Sequence, residues 1–250
     1  MKNILILFLL SLFVWGCSAS INTANMSPEE RLAFSKKLYE NEDYEQAVNE
    51  FSNLVLQYPG NAVIDTAQFY LGQSRFKRKE YILAAYEFSK LIKNMPASKL
   101  IPESQFMLSD CYYRLSPDFT LEQKYTRSAI KEFQAFIDFY PASDKVPEGE
   151  LKIKEMNDKL AHKEYNTAYI YSKLQYYRAA LKYYDNVIEI YHDSKYAPLA
   201  LYDKIQLLLN RDRKSDALIE VNKFLQRFPA DDHTKELQNL KSSLEIAASK

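Results

Sequence analysis

Residues 81–96 read YILAAYEFSKLIKNMP, and the same phrase recurs four more times along the chain. Ala84, Phe88 and Leu91 stand at i, i+4 and i+7, which puts three apolar side chains on one face of a helix, and Pro96 cannot continue that helix. At the repeat length Ala84 coincides with Ala47, Ala129, Ala180 and Ala217, and Phe88 with Phe51, Phe133, Tyr184 and Val221. Pro96 coincides with Pro59, Pro141 and Pro229, with His192 in the fourth position. Ahead of each such helix lies a second apolar stretch with a small residue at a fixed place: Ser35, Gly72, Ser109, Ala168 and, departing from the pattern, Ile205. Tyr44, Tyr81 and Tyr177 mark the turn between the two stretches. A generic helical bundle supplies no reason for Ala and Pro to stay in phase five times.

A unit of roughly 34 residues built as helix, turn, helix is the signature of tetratricopeptide repeats, and these segments resemble that family over nearly all of the chain. The expected fold is therefore all-α: a tetratricopeptide-repeat solenoid of five helix-turn-helix repeats plus a C-terminal capping helix from His233 to Ile246. Composition agrees. The four glycines, Gly16, Gly60, Gly72 and Gly149, form no phosphate-cradling loop and supply too few turns for an all-β fold. None of the nine prolines interrupts a helical pattern. Lys and Arg number 33 and so do Asp and Glu, so the chain has no basic stripe for phosphates and no nucleic-acid partner is expected.

The N-terminus carries Lys2, an apolar run from Ile4 to Trp15 broken only by Ser11, and then Gly16-Cys17. The run falls short of the ~20 residues needed to cross a bilayer, so residues 1–16 read as a signal peptide. Val14-Trp15-Gly16-Cys17 resembles a bacterial lipobox, with Val14 and Trp15 departing from its usual residues, and that resemblance implies lipidation at Cys17. The alternative is an ordinary secretory signal with an incidental Cys. Residues 17–27, polar and low in apolar content, then form a lipidated tether that reaches at most ~35 Å. The other cysteine, Cys111, has no partner for an internal disulfide and is expected to be buried as a small hydrophobe.

Repeats one to three occupy residues 28–145, and the first helix is opened by Ser27, Pro28, Glu29 and Glu30. Repeat three carries eight extra residues between its helices, around Leu115 to Leu121, which either contact a partner or form a passive loop. Residues 146–250 hold repeats four and five, led by one extended helix from Val146 to Tyr171 that couples the two halves.

His162, His192 and His233 fall in different repeats without metal-ligand spacing, no G-x-S-x-G occurs, and carboxylate pairs such as Glu42-Asp43 lie in charged surface patterns. No catalytic residue, metal site or cofactor is expected, and the chain does not read as an enzyme. What remains is a binding surface. Three residues before the small positions stand Leu32, Phe69, Phe106, Tyr165 and Tyr202, and four after the first three stand Tyr39, Phe76 and Tyr113. Positions i and i+7 share a helix face, so Tyr39, Phe69, Phe76, Phe106, Tyr113 and Tyr165 either line a peptide groove or pack between repeats as core.

The combination is similar to the BamD family, tetratricopeptide lipoproteins of the bacterial outer-membrane β-barrel assembly machinery. The similarity rests on Cys17 ahead of five repeats, on Ser116-Pro117-Asp118 with Gln123, Thr126, Ala129 and Ile130 in repeat three, on Phe136-Ile137 and Tyr140-Pro141-Ala142-Ser143, and on Lys159-Leu160-Ala161, Lys163-Glu164, Ala168, Tyr171, Tyr177 and Ala179-Ala180 at the junction of the halves. His192-Asp193-Ser194 departs from the family's ending at that place. The resemblance implies a lipid-anchored protein on the periplasmic face of the outer membrane. Its N-terminal repeats would recognise signals of unfolded outer-membrane proteins, and its C-terminal repeats would dock on the periplasmic domains of the barrel subunit BamA, beside other assembly-machine subunits. A lipoprotein scaffold for cell-wall synthesis enzymes is the alternative.

Overall fold

The computed structural model describes residue 23 and residues 25–248; the expected signal peptide and the expected lipidation position Cys17 lie outside the described residues. Among those described, eleven helices follow one another with no strand: α1 (Pro28–Glu40), α2 (Tyr44–Gln57), α3 (Ile64–Lys77), α4 (Tyr81–Asn94), α5 (Ile101–Leu115), α6 (Lys124–Phe139), α7 (Val146–Lys173), α8 (Tyr177–Ile190), α9 (Ala197–Asn210), α10 (Lys214–Arg227) and α11 (Thr234–Ala248). Each helix packs against the next, so the chain is a tetratricopeptide-repeat solenoid in which α11 covers the last repeat.

The phased residues are the ones that leave water. Ala47, Phe51 and Leu54, Ala84, Phe88 and Leu91, and their equivalents in α6, α8 and α10 are at most 2 % exposed. Burying a Leu or Phe side chain is worth about 1.5–3 kcal/mol, so this stripe holds each second helix in place. Opposite it, Ser35, Ser109, Ala168 and Ile205 are fully buried. The small side chain is needed because the neighbouring ring sits on the first helix: an added Cβ at Gly72 would lie 2.7 Å from Cε1 of Phe88. Repeat five exchanges the sizes, with Ile205 in the small position and Val221 where the other repeats carry a ring, and both are buried.

Within repeats one, two, four and five the turn has three residues, and its middle residue is left-handed: Glu42, Lys79, Gln175 and Asp212 have φ of 63°, 61°, 62° and 55°. The amide of the following residue then reaches back across the helix end, as from Asp43 to the Leu38 carbonyl at 2.9 Å and from Glu80 to that of Arg75 at 3.0 Å. Pro59, Pro96, Pro141 and Pro229 sit in the turns between repeats. His192 takes that place in repeat four without changing the turn, since Ser194 bonds back to Tyr191 as Ser143 does to Tyr140. At the N-terminus Ser27 and Glu30 form the expected reciprocal cap.

Repeat three departs from the three-residue turn. Of its eight additional residues, three lengthen the flanking helices and five enlarge the loop, which spans residues 116–123. The extended helix α7 has 28 residues, about 42 Å at 1.5 Å per residue. Its first half, with Val146, Ile153 and Met156, packs on the core of repeats two and three, and its second half, with Ala161, Tyr165 and Ala168, packs on the core of repeats four and five. One rigid rod therefore belongs to both cores.

Candidate protein-binding surfaces

The six aromatics picked out in sequence do not form one open ladder. Phe69 is 9 % exposed and lies 5.8 Å from Phe88, while Phe106 is 5 % exposed between Phe133 and Phe136. These two are core, which corrects the groove reading for them: where a small residue brings the paired helices together, the ring three residues earlier is drawn into the same seam. Tyr39 is half-buried against Tyr44 and Tyr70, and Phe76 is half-buried against Tyr81. Tyr113 is half-buried and donates its phenol to Glu155 at 2.7 Å; burial first, then that carboxylate, pushes its pKa up to about 12. The Tyr165 phenol, raised by burial and by Asp203, donates to Asp203 at 2.7 Å.

In repeat three the chain itself covers the aromatic face. The first half of α7 runs along α5 with polar side chains in register: Lys145 on Glu103, Lys152 on Asp110, Glu155 on Tyr113 and Lys159 on Ser116. Lys152 also lies 5.3 Å from the ring centre of Phe106 and 5.0 Å from that of Tyr113. The same face of α7 then meets the loop. Lys163 donates to the carbonyls of Phe119, Thr120 and Leu121, and Gln123 closes the loop on the carbonyls of Asp118 and Leu121. Phe119 stacks on His162 at 3.6 Å, and His162 stacks on Tyr196, from the start of repeat five, at 4.7 Å and 7°. Burial and the neighbouring Lys195 hold His162 below the usual histidine range, while Asp118 opposes them. A cleft of about 540 Å³ opens beside this stack, lined by loop residues 116–119, by α7 and by Lys195 and Tyr196.

A second surface lies at the turn from α7 to α8, where Tyr171, Tyr176 and Tyr177 make an apolar hollow with Arg178 and Lys182 at its rim. No acidic side chain lines it, and neither Arg178 nor Lys182 has an ion-pair partner among the described residues. Ile170, Leu174 and Tyr176 are exposed nearby. Sequence reasoning missed this surface because its residues come from three consecutive pieces, the end of α7, the turn and the start of α8, and so share no single helix face.

Sequence reasoning also missed a set of buried polar pins. Arg31 donates to Glu50 at 2.8 Å, and Gln68 donates to both the carbonyl and the carboxylate of Glu87. Gln105 does the same to Glu132, and Lys204 meets Glu220 and Asp185, each at 2.6 Å. The signal was present, since Glu50, Glu87, Glu132 and Glu220 each directly precede the large apolar position of the second helix. In repeat four Tyr183 stands there and stacks on Tyr171. Cys111 is fully buried as a free thiol whose pKa is raised by desolvation. Among the described residues no group of His, Cys, Asp and Glu could hold a metal ion, and no helix is long and apolar enough to cross a membrane.

The arrangement defines a class: a tetratricopeptide-repeat solenoid with open, tyrosine-lined clefts flanked by cations. Within that class the chain belongs to the YfiO family of outer membrane lipoproteins, whose family model matches residues 25–213. A curated relative, the outer membrane protein assembly factor BamD of Rickettsia prowazekii (strain Madrid E), is 25% identical over 202 residues, covering 80% of each chain. Solved structures with a similar course include the TPR2AB domain of yeast Sti1 in a pHSP90 complex, at 15% identity and a TM-score of 0.45 over 88% of this chain and 84% of that one. A thermophilic TPR protein of Thermus thermophilus is 16% identical, with a TM-score of 0.38 over 88% of this chain and 100% of that one.

Proposed function

We propose that this chain works in outer-membrane protein assembly as a lipid-anchored subunit on the periplasmic face. In this reading residues 28–145 take up signal segments of unfolded outer-membrane proteins, and residues 146–250 dock on the periplasmic domains of the barrel subunit BamA. The similarity to an assembly factor along four-fifths of both chains carries the proposal. The surfaces suit it. Tyr171, Tyr176 and Tyr177 with the unpaired Arg178 and Lys182 offer large, stiff contact area and uncompensated positive charge, the composition of a protein interface. On the N-terminal side the half-buried edges of Tyr39 and Phe76 remain for an extended, aromatic-rich segment.

Affinity capture from solubilised outer membranes tests the reading. The tagged chain should recover BamA, and Arg178→Glu with Lys182→Glu should reduce that recovery at least tenfold with the helical spectrum unchanged. Recovery of cell-wall synthesis enzymes without BamA would refute it.

A further inference from the structure

Two segments meet at the middle of α7, one from each half of the chain. The loop of repeat three reaches forward along the rod: Ser116 accepts from Lys159 at 2.8 Å, the carbonyls of Phe119, Thr120 and Leu121 accept from Lys163, and Phe119 stacks on His162. The turn ahead of repeat five reaches back along it: the Asp193 carbonyl accepts from Lys154, and the Lys195 amide donates to Asp158, each at 3.4 Å. Between them runs one stack of rings, Phe119 on His162 and His162 on Tyr196.

The loop is held in shape from within repeat three. Gln123 is fully buried; its amide nitrogen donates to the carbonyls of Asp118 and Leu121 at 2.7 and 2.9 Å, and its oxygen accepts from Thr126 at 2.6 Å. Ser116 lies 2.7 Å from the same Thr126 hydroxyl, and Asp118 accepts from the amide and hydroxyl of Thr120. A loop tied at both ends and across its middle can hold what it touches, which a slack loop of the same length cannot.

Without these contacts the junction would rest on α7 alone. α6 packs on α7 and α7 on α8, and little more than one helical turn separates Met156, in the core of repeats two and three, from Ala161, in the core of repeats four and five. A bend in that turn costs neither core a contact. Long helices curve with radii of about 60–100 Å, and a change of about 15° at residue 160 would move Leu174, about 21 Å further along, by about 5 Å.

We infer that the loop of repeat three and the turn before repeat five form a brace across α7, closed by the stack of Phe119, His162 and Tyr196, which fixes the angle between repeats one to three and repeats four and five. The brace goes beyond the proposed function and does not depend on it: whatever the two halves bind is held in one relative placement. The insertion then has a role that a three-residue turn could not fill, since its extra length carries Phe119 past the end of α5 to the middle of α7.

Double electron–electron resonance on the full mature chain in detergent reads the angle. Spin labels at Asn49→Cys in α2 and Asn210→Cys in α9, both exposed positions, report across the junction, and Cys111 takes no label because it is fully buried. The intact brace should give one narrow distance distribution. Phe119→Ala with Lys163→Gln should widen it about twofold by freeing α7 to bend. Tyr196→Ala, which cuts the stack from the other side, should widen it as well, and Phe119→Tyr, which keeps the ring, should not. Label pairs inside one half, Asn49→Cys with Lys131→Cys and Lys173→Cys with Asn239→Cys, should stay narrow in every variant. An unchanged distribution in either the loop double variant or Tyr196→Ala would show that α7 alone sets the angle and would overturn the proposal. Widening of the pairs inside one half would overturn it too, because the loop would then hold repeat three together rather than the junction.

Discussion

Replacing glycine by alanine at two positions should have opposite effects, and the reason is geometric. A Cβ at Gly72 would meet Phe88 at 2.7, 2.9 and 3.0 Å, and Phe88 is fully buried, so the ring must shift within a packed seam. Overpacking of this kind costs about 1–3 kcal/mol, against about 1 kcal/mol gained from the better helix propensity of Ala. The 2.7 Å approach to a fully buried ring puts this clash in the upper part of that range, about 2–3 kcal/mol, so the net expectation for Gly72→Ala is a loss of about 1–2 kcal/mol. At about 2–4 °C per kcal/mol for a chain of this size, Tm should fall by about 2–8 °C. Gly149, in the first turns of α7, is different: its Cβ would lie 3.6 Å from Cδ1 of Ile137 and 3.7 Å from Cδ1 of Phe133, ordinary contact distances. There the propensity gain is unopposed, and Gly149→Ala should raise Tm by about 2–4 °C. Far-UV circular dichroism during heating and urea titration reads both. Adding Phe88→Leu to Gly72→Ala should recover part of the loss, because the shortened side chain makes room for the new methyl group. A Gly72→Ala variant as stable as the parent would show that the small residues do not set the helix spacing, and the argument for the repeat seam would fail.

Three further outcomes are expected. Lys79 sits at φ 61° in the turn of repeat two, so Lys79→Gly should stabilise by about 1 kcal/mol, whereas Gln73→Gly, in the interior of α3, should destabilise by a similar amount; urea midpoints separate the two. Tyr113 is held neutral in the folded chain, with its pKa raised from 10.0 to about 12, so its contribution is complete below the unfolded value and is lost as pH climbs through about 10 to 12. Tyr113→Phe should flatten that part of the alkaline unfolding curve; an unchanged curve would remove the Glu155 contact from the account. For the anchor, Cys17→Ala should abolish metabolic labelling by a palmitate analogue while export continues, and retained label would place the lipid elsewhere.

The helix faces were legible in the sequence because they are local. The 3.6-residue period fixes which side chains share a face, and the Ala, large apolar and Pro positions of YILAAYEFSKLIKNMP recur closely enough to set the repeat boundaries and to identify α7 as one helix. The caps at Ser27 and the burial of Cys111 follow from the same short-range reasoning. Which neighbour each face meets was decided only by tertiary structure. Phe69 and Phe106 have the same spacing as Phe76 and Tyr113, yet the close approach at Gly72 and Ser109 takes the first pair into the core. Lys145, Lys152, Glu155 and Lys159 find their partners on α5 and the loop some 42 or 43 residues earlier, a separation that no window on the sequence spans. The loop itself read as free to contact a partner or lie idle; it instead stacks Phe119 on His162, because the rod-like α7 carries that ring past the loop on its way from one core to the other.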